Sequence, residues 1–185
     1  MKNKLVIITG AGRGIGKAVS ETLASCGYTC VLIARNPKEI KNVEKKIKKI
    51  NGVAFSTTCD ITDYSSVQKT IKEIISKHGN IYGLVNCAAS SPAVVPSDDL
   101  DLKEWDKVIQ TDLTGTFITC QIVGKNMIKS KIWLIILIFI PTTGFGQTRL
   151  ATSSLMVKTQ MQNGYSINPI QDGETRFSGD YWMYN

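Results

Sequence analysis

The sequence predicts an α/β fold, a doubly wound parallel sheet with helices on both faces. Short β-branched runs alternate with apolar stripes at helical spacing from residue 4 to about residue 128. The strand-like runs lack polar alternation, which is typical of strands buried on both faces. The first run also ends in a glycine-rich turn that leads into a helix. Right-handed crossovers convert this alternation into a sheet covered on both sides.

Four strands are predicted in the first half of the chain. They are short runs in which apolar, β-branched and small residues dominate, and each run is bounded by glycine or polar residues. The third run is the weakest, because it mixes threonine and serine with apolar residues. The predicted strands cover residues 4–9, 29–34, 53–58 and 81–86.

Helices are predicted between the strands. Asn36, followed by Pro37, is a candidate N-cap of the second helix, and Asp63 is a candidate N-cap of the third. A longer helix is predicted from about Leu102 to Met127. The predicted inner residues of the first helix are Ile15, Val19, Leu23 and Cys26, and those of the long helix are Trp105, Val108, Ile109, Leu113, Phe117, Val123 and Met127.

Length and composition indicate one domain, or one domain with an appendage. The chain has 185 residues, 43% hydrophobic and 20% charged, so it can form a core. Its formal net charge of +7 favours anionic partners such as a phosphorylated cofactor. No nucleic-acid module accompanies the basic residues, so we predict no nucleic-acid partner. The single histidine, His78, makes a histidine-based metal site improbable, and we predict no metal.

The cysteines and the N-terminus predict a cytoplasmic location. The five cysteines contain no Cys-x-x-Cys pair, and an odd number is a poor disulfide framework. The first apolar run, Leu5–Ile8, is shorter than the roughly 7–15 apolar residues of a secretory signal peptide. We therefore expect buried or free thiols in a reducing compartment, at Cys26, Cys30, Cys59, Cys87 and Cys120.

The glycine-rich turn from Thr9 to Gly16 predicts a dinucleotide site. A diphosphate binds backbone N–H groups at a helix N-terminus, and side chains in the turn would obstruct its approach. The glycines are spaced as Gly-x-x-x-Gly-x-Gly, at Gly10, Gly14 and Gly16, which differs from the general Gly-x-Gly-x-x-Gly fingerprint. The turn alone could be only a tight turn, but its place between a buried strand and a helix favours cofactor binding.

A basic residue after the second strand favours NADP(H) over NAD(H). An acid at this point would bind the ribose 2′-hydroxyl of NAD, whereas an arginine suits the 2′-phosphate of NADP. Arg35 occupies the position, no acid lies within Leu32–Asn36, and Arg13 could reach the same phosphate from the loop. The alternative for Arg35 is an ordinary surface arginine.

The sequence resembles the short-chain dehydrogenase/reductase family, including 3-oxoacyl-carrier-protein reductases and related carbonyl reductases. The resemblance covers about residues 4–131 and rests on the segments Thr9–Gly16, Cys59–Thr62, Asn86–Ala89 and Trp105–Phe117. It implies a Rossmann-like domain that binds NADP(H) and interconverts ketones and secondary alcohols. The cofactor-binding residues that it implies are Gly10, Gly12, Arg13, Gly14, Ile15, Gly16, Arg35, Asp60, Ile61, Asn86 and Ala88.

Two departures from the family pattern concern catalysis. Asp112 occupies the position of the family's catalytic asparagine, and an ionised aspartate accepts hydrogen bonds but cannot donate them. The family's proton donor is a tyrosine with a lysine four residues later, on one helix face. None of the six tyrosines is followed by a lysine at that spacing. We therefore expect impaired turnover, or, as the alternative, a non-catalytic dinucleotide-binding remnant.

The last third of the sequence departs from the pattern of the first 131 residues. Residues 132–140 are nine consecutive apolar residues, which predict a fifth buried strand, and the predicted sheet is truncated after about this strand. With their basic flank they also have the layout of a signal peptide, whereas they are too short for a membrane helix. Residues 141–185 are predicted to be a poorly ordered, unmatched tail. We hypothesise that a frameshift, aberrant splice or gene fusion produced it.

The resemblance also implies partners. The substrate is expected to be a small carbonyl or alcohol compound, with an acyl-carrier-linked one as an option. Relatives form homo-oligomers through long helices, so self-association is an open expectation here. A membrane partner is not expected, because no apolar run reaches the length that spans a bilayer.

Overall fold

The computed structural model describes residues 4–90, 97–130, 133–138 and 154–159. The strands in these residues are β1 (Leu5–Thr9), β2 (Thr29–Ala34), β3 (Val53–Thr58), β4 (Ile81–Asn86), β5 (Trp133–Ile138) and β6 (Ser154–Thr159). The helices are α1 (Gly14–Ser25), α2 (Pro37–Lys49), α3 (Tyr64–His78), α4 (Leu102–Val108) and α5 (Thr116–Lys129), with a 3₁₀ turn at Ser97–Asp99 and a π-helical stretch, Ile109–Gly115, between α4 and α5.

The six described strands form one sheet in the order β3-β2-β1-β4-β5-β6. The pairs β3–β2, β2–β1, β1–β4 and β4–β5 are parallel, and β6 is antiparallel to β5. The prediction of a doubly wound parallel sheet is confirmed. In this order β2 and β3 lie on one side of β1, and the chain then crosses over to place β4 on the other side of β1. The carboxyl ends of β1 to β4 therefore meet at one edge, at the switch point where ligands bind in such sheets.

The core lies on both faces of the sheet, as the unbroken apolar runs predict. Alternate residues of β1 point to opposite faces. Leu5 and Ile7 pack in a cluster with α3 and α5, whereas Val6 and Ile8 pack in a second cluster with α1 and α2. Because β1 is covered on both faces, a polar residue on either face would be buried, and this explains why β1 contains no polar residue before Thr9.

Both predicted helix caps are present. The Asn36 side-chain oxygen accepts hydrogen bonds from the backbone N–H groups of Lys38 and Glu39, at 3.0 and 3.4 Å. The Asp63 carboxylate accepts one from the N–H of Ser66 at 3.0 Å. Each bond satisfies donors that have no partner inside the helix, so these side chains determine where α2 and α3 begin.

The predicted inner face of α1 is wrong by one residue. The buried residues of this helix are Gly16, Ser20 and Ala24, whereas Ile15 is 39% exposed and Cys26 is exposed. At Gly16 a side chain would overlap the Gly10 carbonyl, because α1 starts directly against the glycine-rich turn. The Ser20 hydroxyl, which is buried, donates to the Gly16 carbonyl at 2.7 Å. Val19 and Leu23 are only partly buried at the side of that face.

The predicted inner face of the long helix is wrong in its first half. Val123 and Met127 are fully buried, as predicted, but Trp105, Leu113 and Phe117 are 52%, 58% and 62% exposed. The buried residues of this half are Thr111, Gly115, Ile118 and Thr119. For Leu113 and Phe117 the physical reason is the π-helical stretch Ile109–Gly115, because its wider turn shifts the side chains within it and just after it from the face that a 3.6-residue period predicts. Trp105 precedes this stretch, in the short helix α4, which has no buried residue.

Beyond α5 the chain adds two strands to the sheet. Residues 133–138, within the apolar run, form β5 and pair in parallel register with Gly83–Asn86 of β4. In the segment for which the sequence predicts a poorly ordered tail, Ser154–Thr159 forms β6. The remaining residues of that tail lie outside the described residues. No described helix has both the length and the apolar character needed to cross a bilayer.

A buried carboxylate links α2 to β3. Glu44 lies on the inner face of α2, with a side chain only 6% exposed, and accepts hydrogen bonds from Lys41 at 3.0 Å, from Lys48 and from the Ser56 hydroxyl. Burial by itself raises the pKa of this carboxyl, but the hydrogen bonds from Lys48, Ser56 and Lys41 outweigh it and lower the pKa to about 2. The charged form of Glu44 is therefore stabilised in the folded state.

Replacing Glu44 by glutamine is expected to remove part of the acid sensitivity of folding. Because the folded-state pKa is lowered, the stabilisation is present above the unfolded-state value and is lost as the pH falls towards 2. We expect the free energy of unfolding of the wild type to fall by about 2–3 kcal/mol more than that of E44Q between pH 5 and pH 2. Urea unfolding across this range measures it. The control Glu73→Gln, at an exposed pair with Lys77, should retain the wild-type profile; identical profiles for E44Q and wild type would contradict the prediction.

Candidate functional site

A cavity of about 470 Å³ opens at the edge where the carboxyl ends of β1 to β4 meet. Four connections line it: the glycine-rich turn, the segment after β2, the segment after β3 and the segment after β4. Its volume falls within the range of roughly 300–1,000 Å³ that small-molecule and cofactor sites occupy. The sheet topology thus brings together residues from Gly10 to Ser90, and Thr111 of the π-helical stretch joins them.

Two glycines of the turn permit close backbone packing. A Cβ at Gly10 would lie 2.6 Å from the Cys87 carbonyl oxygen and 2.7 Å from the Ala88 backbone, and Gly10 also has a φ of +63°. A Cβ at Gly16 would overlap the carbonyl of Gly10. These glycines therefore hold the turn against β4 and α1 against the turn, and the shape of the cavity depends on both.

Gly14 differs from these packing glycines. It has a φ of +53°, and a Cβ built on it meets no atom within 4 Å. It opens α1, whose N-cap residue, Arg13, makes no side-chain capping bond. The first N–H groups of α1 have no acceptor within the helix, and the positive end of the helix dipole lies there. This combination of open space and free donors in the cavity fits a diphosphate.

Cationic side chains stand at the rim of the cavity. Arg13 and Arg35 both line it, and the Arg35 guanidinium lies 3.9 Å from the Asp60 carboxylate. The other Asp60 oxygen accepts from the N–H and the hydroxyl of Thr62, at 3.0 and 2.8 Å, which fixes the carboxylate beside Ile61. The Arg35 side chain is 61% exposed, so its pair with Asp60 is weak and leaves guanidinium donors available.

Thr9 ties the glycine-rich turn to the segment after β4. Its hydroxyl, fully buried, accepts hydrogen bonds from the N–H groups of Cys87 and Ala88, at 3.1 and 3.2 Å. The same segment lines the cavity. Because β1 and β4 are parallel neighbours, one side chain at the end of β1 can satisfy two amides just beyond β4. Thr9 is therefore a positioning residue for the cavity wall.

Asn86 does not line the cavity, although the resemblance implies that it binds the cofactor. Its side chain is buried between β4 and α5, where its carbonyl oxygen accepts from the Thr119 hydroxyl at 2.8 Å and its amide donates to the Cys120 sulfur at 3.3 Å. In this structure both ends of the amide are occupied by α5. The contribution of Asn86 is therefore to join the sheet to the long helix.

Asp112 acts on the cavity through another residue. It lies in the π-helical stretch, and its carboxylate accepts a hydrogen bond from the backbone N–H of Ser90 at 2.7 Å. Ser90 and Thr111 line the cavity, whereas Asp112 does not. Burial raises the pKa of the Asp112 carboxyl, and the bond from Ser90 opposes that rise only in part. The structure therefore shows Asp112 holding the cavity wall, and a catalytic role for it stays a prediction.

The cavity brings together ten of the twelve residues singled out from the sequence, all except Asn86 and Asp112. It also contains residues that the sequence pattern did not indicate. Glu39 had a sequence signal, because Asn36-x-x-Glu39 has the spacing of a capping box. Of the others, Cys59, Cys87, Ala89 and Thr111 lie in the segments that carry the family resemblance, and Ser90 begins the Ser90–Asp101 loop, which the sequence presents as a candidate pocket wall or a plain connection. The lining residues outside the predicted cofactor-binding set are Ile33, Ala34, Asn36, Glu39, Cys59, Cys87, Ala89, Ser90 and Thr111.

The described residues contain no cluster of three or more side chains able to hold a metal ion. The described cysteines are free thiols, and burial raises the pKa of Cys87, at the cavity wall, to about 12. A thiol with so high a pKa stays protonated at neutral pH, so Cys87 is not an activated nucleophile.

Proteins of known function and known structure resemble this chain over about 70% of its length. The chain is 30% identical over 130 residues to D-threitol dehydrogenase from Mycolicibacterium smegmatis, a match that covers 70% of this chain and 50% of that protein. The structure resembles a metagenomic short-chain oxidoreductase in complex with NADP, with a TM-score of 0.68 at 28% identity, covering 72% of this chain and 60% of that one. It also resembles an NAD⁺-bound xylitol dehydrogenase, with a TM-score of 0.68 at 28% identity. This match covers 70% of this chain and 50% of the xylitol dehydrogenase chain.

The chain spans about half the length of the curated relatives it matches. The family match itself runs over residues 4–147, beyond residue 131 and through the apolar run that contains β5. The end of the resemblance is therefore later than the sequence motifs alone indicate. The strand order and the glycine-lined cavity agree with this match. The chain therefore belongs to the short chain dehydrogenase family.

Proposed function

We propose that this chain binds NADP(H) in the cavity at the carboxyl ends of β1 to β4 and is an NADP(H)-dependent oxidoreductase-type protein. The observation that carries the proposal is the pairing of an open helix N-terminus at Gly14 with two guanidinium groups, Arg13 and Arg35, at the rim of one cavity. Relatives of known structure include both an NADP complex and an NAD⁺ complex, so family membership does not decide between the cofactors.

The residues of the cavity have distinct roles in this proposal. The N–H groups that open α1 hold the diphosphate, and Arg13 and Arg35 hold the 2′-phosphate. Asp60 and Ile61 line the adenine end, as the family resemblance implies, and Ala88 and Ser90 line the far wall. When bound, a nicotinamide cofactor supplies or accepts the hydride that interconverts carbonyl and alcohol groups. The chain itself supplies binding and orientation.

Replacing Arg35 by alanine is expected to lower the affinity for NADPH about 10- to 100-fold and to change the affinity for NADH less than about twofold. A hydrogen-bonded charge pair is worth roughly 1.5–3 kcal/mol, and only NADPH has the 2′-phosphate that Arg35 would bind. Fluorescence or calorimetric titration of the purified chain with each nucleotide measures both affinities.

The matched control is Lys38→Ala. Lys38 is an exposed cation in the first turn of α2 that does not line the cavity, so its removal changes net charge by the same amount. We expect K38A to bind both nucleotides like the wild type. An equal loss of NADPH and NADH affinity in R35A, or no loss at all, would contradict the assignment of Arg35 to the 2′-phosphate.

A second candidate is binding without turnover. The sequence contains no tyrosine followed four residues later by lysine, and Asp112 replaces the family's asparagine. Protonation of the oxygen that forms when a carbonyl is reduced then lacks its expected donor in this chain. NADPH consumption in the presence of a panel of ketones and aldehydes separates the candidates, since robust reduction would show that another group donates the proton.

The proposal extends to partners and location. The substrate class is a small carbonyl or secondary alcohol compound, with an acyl-carrier-linked one as an option, and the relatives' self-association is carried over as a prediction. The free thiols are consistent with the predicted cytoplasmic location. Sedimentation of the purified chain tests self-association directly.

A further inference from the structure

The second glycine of the turn lies beneath a carboxylate. A Cβ at Gly12 would meet the Glu39 side chain, at 2.8 Å from Oε2 and 2.9 Å from Cβ. The first turn of α2 therefore packs directly on the glycine-rich turn, and Gly12 is needed for this contact. Gly12 and Glu39 both line the cavity. A negative charge thus stands against the turn that the proposed function assigns to phosphate binding.

The Glu39 carboxylate is held in this position. Its Oε1 accepts a hydrogen bond from the Asn36 side-chain amide at 2.9 Å, while the Asn36 oxygen caps α2. Among the described residues, no lysine or arginine forms an ion pair with Glu39. The reciprocal bonds between Asn36 and Glu39 favour the rotamer that places the charge against the turn.

The charges around the cavity balance formally. Arg13 and Arg35 contribute two positive charges, and Glu39 and Asp60 contribute two negative ones. Asp60 has an ion pair with Arg35, whereas Glu39 has none among the described residues, although it also borders a groove that Lys17, Lys45, Lys46 and Lys49 line. An anion placed between Gly12 and the arginines would be attracted by the arginines and repelled by Glu39.

We infer that Glu39 is a specificity-determining residue that weakens the preference for NADPH over NADH. The inference rests on the proposed function, because it concerns the 2′-phosphate at the same rim. Its basis is the juxtaposition of the Glu39 carboxylate, Gly12 and the two arginines in one cavity. The repulsion acts on the 2′-phosphate, which carries the charge that distinguishes the two cofactors.

Replacing Glu39 by glutamine tests this. Glutamine keeps an oxygen to accept the Asn36 bond and removes the charge, so E39Q is expected to bind NADPH about tenfold more tightly and NADH within about twofold of the wild type. The NADPH gain should shrink as salt is raised, because part of the interaction is screened. Calorimetric titrations with NADPH and NADH at low and high salt give these ratios.

Two further variants complete the design. Glu39→Ala removes both the charge and the hydrogen bond, and it should show the same NADPH gain if charge is the cause. Glu73→Gln makes the same change in net charge on α3, away from this cavity, and should bind like the wild type. Thermal unfolding confirms that each variant is folded.

The outcomes separate the two claims. If the wild type binds neither nucleotide, the proposed function fails. If the wild type binds NADPH but its preference over NADH is unchanged in folded E39Q and E39A, the proposed function stands and the role of Glu39 is overturned. An equal tightening of NADPH and NADH in E39Q would also overturn it, because the effect would then not involve the 2′-phosphate.

Discussion

Replacing Gly10 by alanine is expected to destabilise the fold by about 2–5 kcal/mol and to abolish nucleotide binding. A residue with a side chain at a φ of +63° costs roughly 1–2 kcal/mol, and overpacking costs a further 1–3 kcal/mol. The overlap here is with the backbone of Cys87 and Ala88, which cannot rotate aside as a side chain would. The turn must therefore move away from β4, and the donors of α1 move with it. Denaturant unfolding and NADPH titration measure the two effects.

The comparison with Gly14→Ala isolates the overlap. Gly14 lies in the same turn with a similar positive φ, but its Cβ would enter open space. We therefore expect G14A to lose only about 1–2 kcal/mol of stability. If G10A and G14A are equally stable, the contact of Gly10 with the segment after β4 does not have the role assigned to it.

Replacing Thr9 by valine is expected to lower the free energy of unfolding by about 2–4 kcal/mol. Valine has nearly the same shape, so packing is preserved, but the N–H groups of Cys87 and Ala88 lose their common acceptor. Each buried donor left without a partner costs roughly 1–3 kcal/mol. Because these amides belong to the cavity wall, NADPH binding should weaken as well. Urea unfolding and nucleotide titration provide the measurements.

Thr9→Ser is the matched control for this change. Serine keeps the hydroxyl that accepts both hydrogen bonds and removes one methyl group, so we expect a loss of only about 1 kcal/mol and binding close to that of the wild type. The assignment fails if T9S is as unstable as T9V, because the methyl group rather than the hydroxyl would then be the stabilising element.

Most of the site follows from sequence because the ligand-binding edge of a parallel sheet is defined by strand ends. Once β1 to β4 are recognised, Gly10, Arg35, Asp60 and Ala88 must lie near one another. The strand ends do not determine the direction in which an individual side chain points. Asn86 is the last residue of β4, yet its amide turns to Thr119 and Cys120 of α5 and away from the cavity, and no pattern in the sequence distinguishes these two directions.

The amino-acid sequence by itself determined the order of strands and helices from β1 to β4, the caps at Asn36 and Asp63, and the position of the glycine-rich turn. These are local properties, set by backbone preferences and by the periodicity of apolar residues within a few turns. They are insensitive to the distant partners that a segment meets in the folded chain.

Only the tertiary structure decided which faces of the helices are buried and which charges meet. The π-helical stretch exposes Leu113 and Phe117, and the packing of α2 on the turn brings Glu39 over Gly12. The exposure of Leu113 and Phe117 depends on a local change of helical period. The position of Glu39 depends on a contact between two segments that are distant along the chain. Neither is encoded in a single repeating pattern, so only the assembled sheet and its helices fix them.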